Sequence, residues 1–301
     1  MTQSYHIPVL PDESIGGLNI HPDSNVVDAT FGGGGHSRLI LKSLGDEGRL
    51  FAFDQDEDAA GNLIDDHRLF FIRHNFRYIK NFLHFYGVKQ VDAIFADFGV
   101  SSHDFDVAER GFSFRFEGKL DMRMNQDART DAAKVVNEYT EKQLISLFRM
   151  YGEIKNARRL AVSICKKRIE RPINTTTQLK DIAAECAPRA TENKYLAQVF
   201  QALRIEVNDE MEALKEFMDA AKDLLQPGGR LVVLTYHSLE DRLCKHFMKS
   251  GNFDGNLEKD FYGNVISPFK LINRKVIVPG AEELRNNSRS RSAKLRVAEK
   301  I

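Results

Sequence analysis

Residues 28–36, Asp-Ala-Thr-Phe-Gly-Gly-Gly-Gly-His, combine a carboxylate, four consecutive glycines and an imidazole. Each glycine loses more conformational freedom on folding than any other residue, so four in a row are costly. Such a run indicates a backbone that turns tightly and lets a ligand approach closely. A strand, a glycine turn and a helix together form a cradle for a nucleotide-like cofactor.

The spacing of the glycines narrows the class of cofactor. A dinucleotide-binding loop reads Gly-x-Gly-x-x-Gly, and here Gly32 and Gly34 are followed by Ser37 in place of the third glycine. An acidic residue at the strand end, here Asp28, followed by a looser glycine loop is typical of enzymes that bind S-adenosylmethionine. A nicotinamide-dependent oxidoreductase is disfavoured by Ser37 but stays open.

Two more aspartates follow apolar runs as Asp28 does. A carboxylate at Asp54 can accept hydrogen bonds from both hydroxyl groups of a ribose, although it could simply cap a helix near Asp56. Asp97 opens the segment Asp-Phe-Gly-Val-Ser-Ser. Enzymes that methylate exocyclic amines place an acidic or amide group here, because the amine is a poor nucleophile that must be oriented by acceptors. We hypothesise that Asp97 orients the amine.

The segment His237-Ser-Leu-Glu-Asp-Arg follows the fourth predicted strand. A hydrolase triad is a weak interpretation, because the chain has no Gly-x-Ser-x-Gly elbow. We expect Ser238 to cap the next helix, with Asp241 completing a near capping box and His237 pointing into the site. The histidines and cysteines show no zinc-ligand spacing, so we expect no metal.

Short apolar runs predict the strands that must position these groups. Because ligands of open α/β sheets bind at the carboxyl ends of the strands, Asp28, Asp54 and Asp97 should gather around one crevice. A turn is expected at 226–229, and the final strands at 269–278 and 292–299. Four core strands of a parallel sheet are predicted at Asn25–Ala29, Arg49–Asp54, Val91–Asp97 and Arg230–Tyr236.

Residues 106–202 interrupt this alternation with helical patterns. Within 153–171, apolar side chains fall on one helical face, and Lys155, Arg159 and Lys166 fall on the other. The formal net charge is zero, but the charges are unevenly distributed. This face and a second segment at 285–300 are basic, whereas the N-terminal section is acidic. This separation indicates one surface for a cofactor and another for a polyanion, although a merely solvated face stays open.

The composition, 42% hydrophobic and 29% charged, is that of a soluble globular protein. No apolar run reaches the length of a membrane span, and the first residues lack the features of a secretory signal. The three cysteines are widely spaced, which fits a reducing, cytoplasmic environment and no membrane partner.

Many long motifs in one order resemble the RsmH or MraW family, S-adenosylmethionine-dependent methyltransferases of small-subunit ribosomal RNA. The similarity extends over nearly the whole chain. Its motifs are His6-Ile-Pro-Val-Leu, Asp28-Ala-Thr-Phe-Gly-Gly-Gly-Gly-His-Ser, Asp97-Phe-Gly-Val-Ser-Ser, Glu109-Arg-Gly-Phe-Ser-Phe, Leu120-Asp-Met-Arg-Met, Tyr151-Gly-Glu, Phe200-Gln-Ala-Leu-Arg-Ile-Glu-Val-Asn, His237-Ser-Leu-Glu-Asp-Arg and Arg291-Ser-Ala-Lys-Leu-Arg-Val-Ala-Glu.

The resemblance implies N4-methylation of a cytidine in the decoding region of the small ribosomal subunit. It implies an α/β fold: a Rossmann-like class I methyltransferase sheet, residues 1–105 and 203–301, with an inserted helical RNA-recognition domain, 106–202. The partner would be small-subunit ribosomal RNA or the assembled subunit, and a homodimer stays open. The cofactor contacts of the family fall on Gly34, Gly35, His36, Asp54, Phe76, Asp97 and Asp104.

Position 104 departs from the family pattern, which usually has glutamine there. A carboxylate at Asp104 cannot donate the hydrogen bond of an amide. Beside the methyltransferase and the oxidoreductase, a ribosome-assembly factor that binds RNA without catalysis stays open, although the intact Asp97 motif argues against it. A DNA amine methyltransferase is a weaker variant.

Overall fold

The computed structural model describes residues 8–99, 105, 107–273 and 275–301. By its internal contacts the chain divides into two compact units. Unit 1 comprises Met1–Gly99 and Glu212–Ile301, and unit 2 comprises Val100–Met211. Among the helices of the described residues, none is both long and apolar enough to cross a bilayer.

Unit 1 is built on a seven-stranded sheet in the order β3-β2-β1-β4-β5-β9-β8. The first five strands of this order are parallel, and β9 runs antiparallel to both its neighbours. The strands are β1 Asn25–Asp28, β2 Arg49–Asp54, β3 Leu69–Arg73, β4 Val91–Asp97, β5 Leu225–Thr235, β8 Phe269–Leu271 and β9 Lys294–Lys300, with a separate hairpin formed by β6 Glu258–Lys259 and β7 Val265–Ile266.

The central strands are apolar along their length because helices cover both faces of the sheet. Leu50, Phe51, Ala52 and Phe53 of β2 are fully buried, as the continuous apolar run predicts. The helices of this part of the chain are Pro11–Leu18, Gly35–Ser43, Ile79–Phe85, Glu210–Leu224, Ser238–Ser250 and Ala281–Asn286. The strand order reverses between β1 and β4, which is where ligands of such sheets bind.

Two predicted strands differ from the structure in their extent. Strand β5 begins at Leu225, because Val91 pairs with Leu225 and Ala93 already pairs with Arg230, so the expected turn at 226–229 is an excursion within the strand. The predicted strand 269–278 ends at residue 271. Its later residues contribute only an isolated bridge between Ile277 and Leu295.

Unit 2 is helical and has its own apolar core. Ala157, Leu160, Ala161 and Ile164 are fully buried in it, as the helical period predicts. The helix that carries them begins only at residue 157, because Glu153 has a φ of 51° and ends any regular continuation toward the N-terminus. The helices are Ala132–Glu138, Glu141–Met150, Ala157–Glu170, Thr176–Ala184 and Glu192–Asn208.

Candidate active site

The glycine run forms a turn between β1 and the helix Gly35–Ser43. Gly34 has a φ of +71°, and a Cβ atom there would lie 3.0 Å from both the Phe31 ring and the Arg38 guanidinium. Arg38 Nη1 donates to the carbonyl oxygen of Gly33 at 2.6 Å and so braces the loop from within. Position 34 therefore requires glycine for its conformation and for its close packing.

Asp28, at the end of β1, connects the loop to the sheet through two hydrogen bonds. It is fully buried, and its two oxygens accept from the Thr30 amide at 3.0 Å and from the Ser37 hydroxyl at 2.6 Å. Burial raises the pKa of the Asp28 carboxyl from 3.8 to about 6. Asp28 therefore supports the loop rather than lining an open crevice, which corrects the expectation that all three aspartates face a ligand.

Asp54, at the end of β2, meets the same loop from the neighbouring strand. Its oxygens accept from the backbone amides of Gly32 at 2.7 Å and of Asp56 at 2.9 Å. Burial raises the pKa of Asp54 to about 6. The helix-cap alternative is wrong, because the side chain that accepts from the Asp58 amide at the start of the following short helix is that of Asp56.

Asp97, at the end of β4, is held in place by two hydrogen bonds and lies near a histidine. Its amide donates to Thr30 Oγ1 at 2.7 Å, and its Oδ1 accepts from the Tyr236 hydroxyl at 2.7 Å. Its Oδ2 lies 3.9 Å from His36 Nδ1. Burial, and next the adjacent Asp97 carboxylate, raise the pKa of Tyr236 well above its usual range. The phenol thus remains a hydrogen-bond donor at neutral pH.

His36 is buried in the first turn of the helix Gly35–Ser43. Its Nε2 lies 3.0 Å from the carbonyl oxygen of Val9, an acceptor, so Nε2 carries the proton and Nδ1 presents a lone pair toward Asp97. The ring packs on Phe95 at 4.4 Å between centroids. Burial lowers the pKa of His36. The imidazole is therefore neutral and adds no positive charge beside Asp97.

Phe76 belongs to an aromatic cluster near the end of β3. Its ring meets those of Phe98 and Phe217 edge-on, at 5.6 and 5.4 Å between centroids. Phe76 is only partly buried, and the preceding Asn75 caps its short helix by accepting from the Arg77 amide. One side of this ring is thus supported by aromatic packing while part of it stays exposed.

His237, not Ser238, caps the helix Ser238–Ser250. The histidine side chain accepts from the Glu240 amide, and the Glu240 carboxylate accepts from the His237 amide, which completes the capping box. Asp241 binds Arg296 Nε at 2.8 Å instead. The sequence prediction was wrong by one residue because a histidine nitrogen can serve as the acceptor that Ser usually provides at this position.

The predicted site residues therefore fall into three groups. Gly34, Gly35, His36, Asp54, Phe76 and Asp97 all lie in unit 1, and Asp104 lies outside the described residues. Lys155, Arg159 and Lys166 lie exposed in unit 2. Lys155 precedes the helix that was expected to carry it, and Arg159 Nη2 donates to the Glu185 carbonyl at 2.8 Å.

Sequence reasoning missed Tyr236 and Thr30. Tyr236 directly follows β5. Only carboxylates at strand ends were considered as functional groups, and including phenols would have identified Tyr236. Thr30 lies between Asp28 and the glycines, where nothing in the sequence marks its hydroxyl as the acceptor for the Asp97 amide.

The family model and the similar proteins all match nearly the whole of this chain. The model of the MraW methylase family matches residues 3–301. Proteins named ribosomal RNA small subunit methyltransferase H are similar: that of Phocaeicola vulgatus is 60% identical over 99% of this chain and 98% of its own length, and that of Flavobacterium johnsoniae is 56% identical over 100% and 99%. A solved rRNA methylase from Streptococcus thermophilus, 12% identical, gives a TM-score of 0.42 over 97% of this chain and 93% of its own, a likeness too weak to argue from. The chain belongs to the MraW methylase family.

Proposed function

We propose that this chain transfers the methyl group of S-adenosylmethionine to the N4 amine of a cytidine in the decoding region of small-subunit ribosomal RNA. The names of relatives that are 56–60% identical support a ribosomal RNA substrate. The observation that carries the proposal is the Asp97 carboxylate, fixed beside the glycine loop by the hydrogen bonds that the Asp97 amide donates to Thr30 and that its Oδ1 accepts from Tyr236.

The residues around the loop fit such a cofactor. At Gly32, with a φ of +50°, an added Cβ would have no atom of the described residues within 4 Å, so these residues leave room for a ligand to approach the loop backbone. Asp54 lies directly at this point through its bond to the Gly32 amide and would accept from the ribose hydroxyls. Phe76, partly exposed, would pack against the adenine.

The protein supplies orientation and charge at the reacting centre. When bound, the cofactor provides an electrophilic sulfonium methyl group, and a neutral thioether leaves without need of a metal. The Asp97 carboxylate would accept an N–H of the target amine and turn the nitrogen lone pair toward the methyl carbon. The methylated nitrogen would then release one proton to water, which leaves a neutral methylamine. Tyr236 fixes one Asp97 oxygen, and the lowered pKa of His36 keeps that imidazole from adding a positive charge beside the carboxylate.

Methyl transfer to small subunits that lack the modification tests the proposal. The purified chain and tritiated S-adenosylmethionine should yield labelled N4-methylcytidine after digestion of the RNA to nucleosides. Asp97→Ala should abolish transfer, whereas Asp65→Ala, at an exposed aspartate elsewhere in unit 1, should leave it unchanged. Near-wild-type turnover of Asp97→Ala would refute the role of this carboxylate, and label on another atom would refute the N4 assignment.

A further inference from the structure

The hairpin β6–β7 projects an ordered tip from unit 1. The Asp260 carboxylate accepts from the amides of Tyr262 and Asn264, both at 2.9 Å, and from Asn264 Nδ2 at 3.0 Å. The Asp260 amide in turn donates to the Asn264 carbonyl at 2.9 Å. The Asp260 carboxylate thus faces the backbone of the turn, and these hydrogen bonds fix the conformation of the turn.

Two aromatic rings stand on this tip almost entirely in water. Phe261 is 96% exposed and Tyr262 is 85% exposed, and their rings meet at 87° with centroids 5.6 Å apart. Their ring faces are therefore open to flat ligands. Adjacent exposed aromatics on an ordered turn mark a binding surface, because each ring buried by a partner gains free energy in proportion to its apolar area.

The root of the hairpin is fastened to a helix with a basic face. The Phe253 ring stacks on Phe247 at 4.7 Å, and the Phe253 carbonyl oxygen lies 3.2 Å from His246 Nδ1. The neighbouring residues Lys245 and Lys249, one helical turn apart, are exposed, and no described carboxylate pairs with them. Lys259 of β6 is exposed as well, beside the exposed carboxylate of Glu258. Cations therefore lie on the helix that precedes the hairpin and in the hairpin itself.

We propose that this aromatic hairpin, together with Lys245, Lys249 and Lys259, binds unpaired bases and phosphates of the RNA that the chain methylates. The proposal rests on the proposed function for its substrate. Stacking of bases on aromatic rings beside cations is the usual chemistry of single-stranded RNA recognition. The lysines favour RNA over a protein partner, because they supply phosphate contacts that an apolar protein surface would not use.

The helix sets the distance from the methyl-transfer site. It begins beside His237, next to Tyr236, and its 13 residues span about 20 Å. The hairpin would thus bind nucleotides well away from the target base. It should therefore affect the affinity for RNA, seen in KM, and leave kcat and the affinity for S-adenosylmethionine unchanged.

The chain contains no tryptophan, so the fluorescence of a single introduced tryptophan reports RNA binding at its own position. Phe261→Trp places the indole on the tip, and Phe85→Trp places it on another exposed site of unit 1, 82% exposed in the wild type. Naked small-subunit ribosomal RNA should quench the Phe261→Trp emission severalfold and leave that of Phe85→Trp unchanged. Equal emission with and without saturating RNA would overturn the inference.

Kinetics separate stacking from general apolar contact. Phe261→Leu with Tyr262→Leu keeps apolar bulk but loses the flat rings, and it should raise the KM for small subunits on the order of tenfold. Phe261→Ala with Tyr262→Ala should raise the KM to the same extent. Phe85→Ala should have the wild-type KM. A wild-type KM in the leucine variant would overturn the inference. A wild-type dimer in sedimentation that the leucine variant loses would assign the tip to a contact between two copies of the chain and would also overturn it. If the wild type transfers no methyl group at all, the proposed function fails, and quenching alone then decides on the hairpin.

Discussion

The Tyr236 hydroxyl contributes to the site through its 2.7 Å hydrogen bond to Asp97. Tyr236→Phe removes the donor and keeps the ring. A hydrogen bond to a charged group is worth roughly 1.5–3 kcal/mol, so kcat should fall by about 10- to 100-fold. Single-turnover transfer and calorimetric titration with S-adenosylmethionine should show slower chemistry at unchanged cofactor affinity. Tyr78→Phe, at an exposed tyrosine, is the control, and an unchanged rate for Tyr236→Phe would show that Asp97 needs no such support.

Asp28 gives unit 1 a predictable pH dependence. Burial raises its pKa from 3.8 to about 6, so between these values the folded chain retains a proton that the unfolded chain has released. Its contribution to the free energy of unfolding is therefore greatest at low pH and falls as pH rises through this window.

Asp28→Asn tests this sign, because the amide can still accept from Thr30 and meet the Ser37 hydroxyl. At about 1.4 kcal/mol per pKa unit, the variant should gain up to roughly 3 kcal/mol over the wild type between pH 4 and pH 8. Urea unfolding of the cofactor-free chain at several pH values measures the difference. Parallel curves for the two proteins would contradict the prediction. Asp65→Asn should follow the wild type.

Among the structural elements, the glycine turn restricts the residue type most strongly, at position 34. Gly34→Ala forces a side chain into a left-handed conformation, which costs roughly 1–2 kcal/mol, and places its Cβ against Phe31 and Arg38. We expect the affinity for S-adenosylmethionine to fall by tenfold or more. Gly61→Ala, where an added Cβ meets nothing within 4 Å, should bind normally. Equal affinities of the two variants would show that the turn does not shape the cofactor site.

The basic face of unit 2 remains a proposed RNA surface, and the structure refines its test. Arg159 donates to the Glu185 carbonyl, so its replacement would also disturb a helix end. We therefore reverse only Lys155 and Lys166. Lys155→Glu with Lys166→Glu should weaken RNA binding and reduce the slope of log K against log salt by about 2. Lys42→Glu with Lys89→Glu changes the charge equally, at exposed lysines of unit 1, and should have no such effect. Unchanged RNA binding would return the face to a solvated role.

Elements whose residues form a recognisable pattern within a short segment could be predicted from the sequence, whereas contacts between distant segments could not. Strands β1, β2 and β4 were predicted because both of their faces are buried, which gives continuous apolar runs. Strand β3 was missed although residues 69–72 form an equally continuous apolar run; it lies at the sheet edge, with Leu69, Phe70 and Phe71 only partly buried. The bonds that fix Asp97 join residues far apart in sequence, such as Thr30 and Tyr236, and no local pattern encodes them.

At the scale of the whole molecule, the two units divide the proposed tasks. Every described residue predicted to bind the cofactor belongs to unit 1, whereas Lys155, Arg159 and Lys166 belong to unit 2, which has its own core. Because the cofactor residues come from the first hundred residues and the sheet is completed by the last ninety, unit 1 depends on distant parts of the chain.

Hydrogen exchange with mass spectrometry can test this division. S-adenosylhomocysteine at a hundred times its Kd should stabilise the state that binds it by about 2.7 kcal/mol and slow exchange in β1, β2 and the glycine turn. Amides of the helix Ala157–Glu170 should exchange at an unchanged rate, since the proposed contacts lie in unit 1. NADH at the same concentration should protect neither unit, because Ser37 replaces the third glycine of a dinucleotide loop. Equal protection of both units would show that the cofactor site is not confined to unit 1, and protection by NADH would reinstate the oxidoreductase alternative.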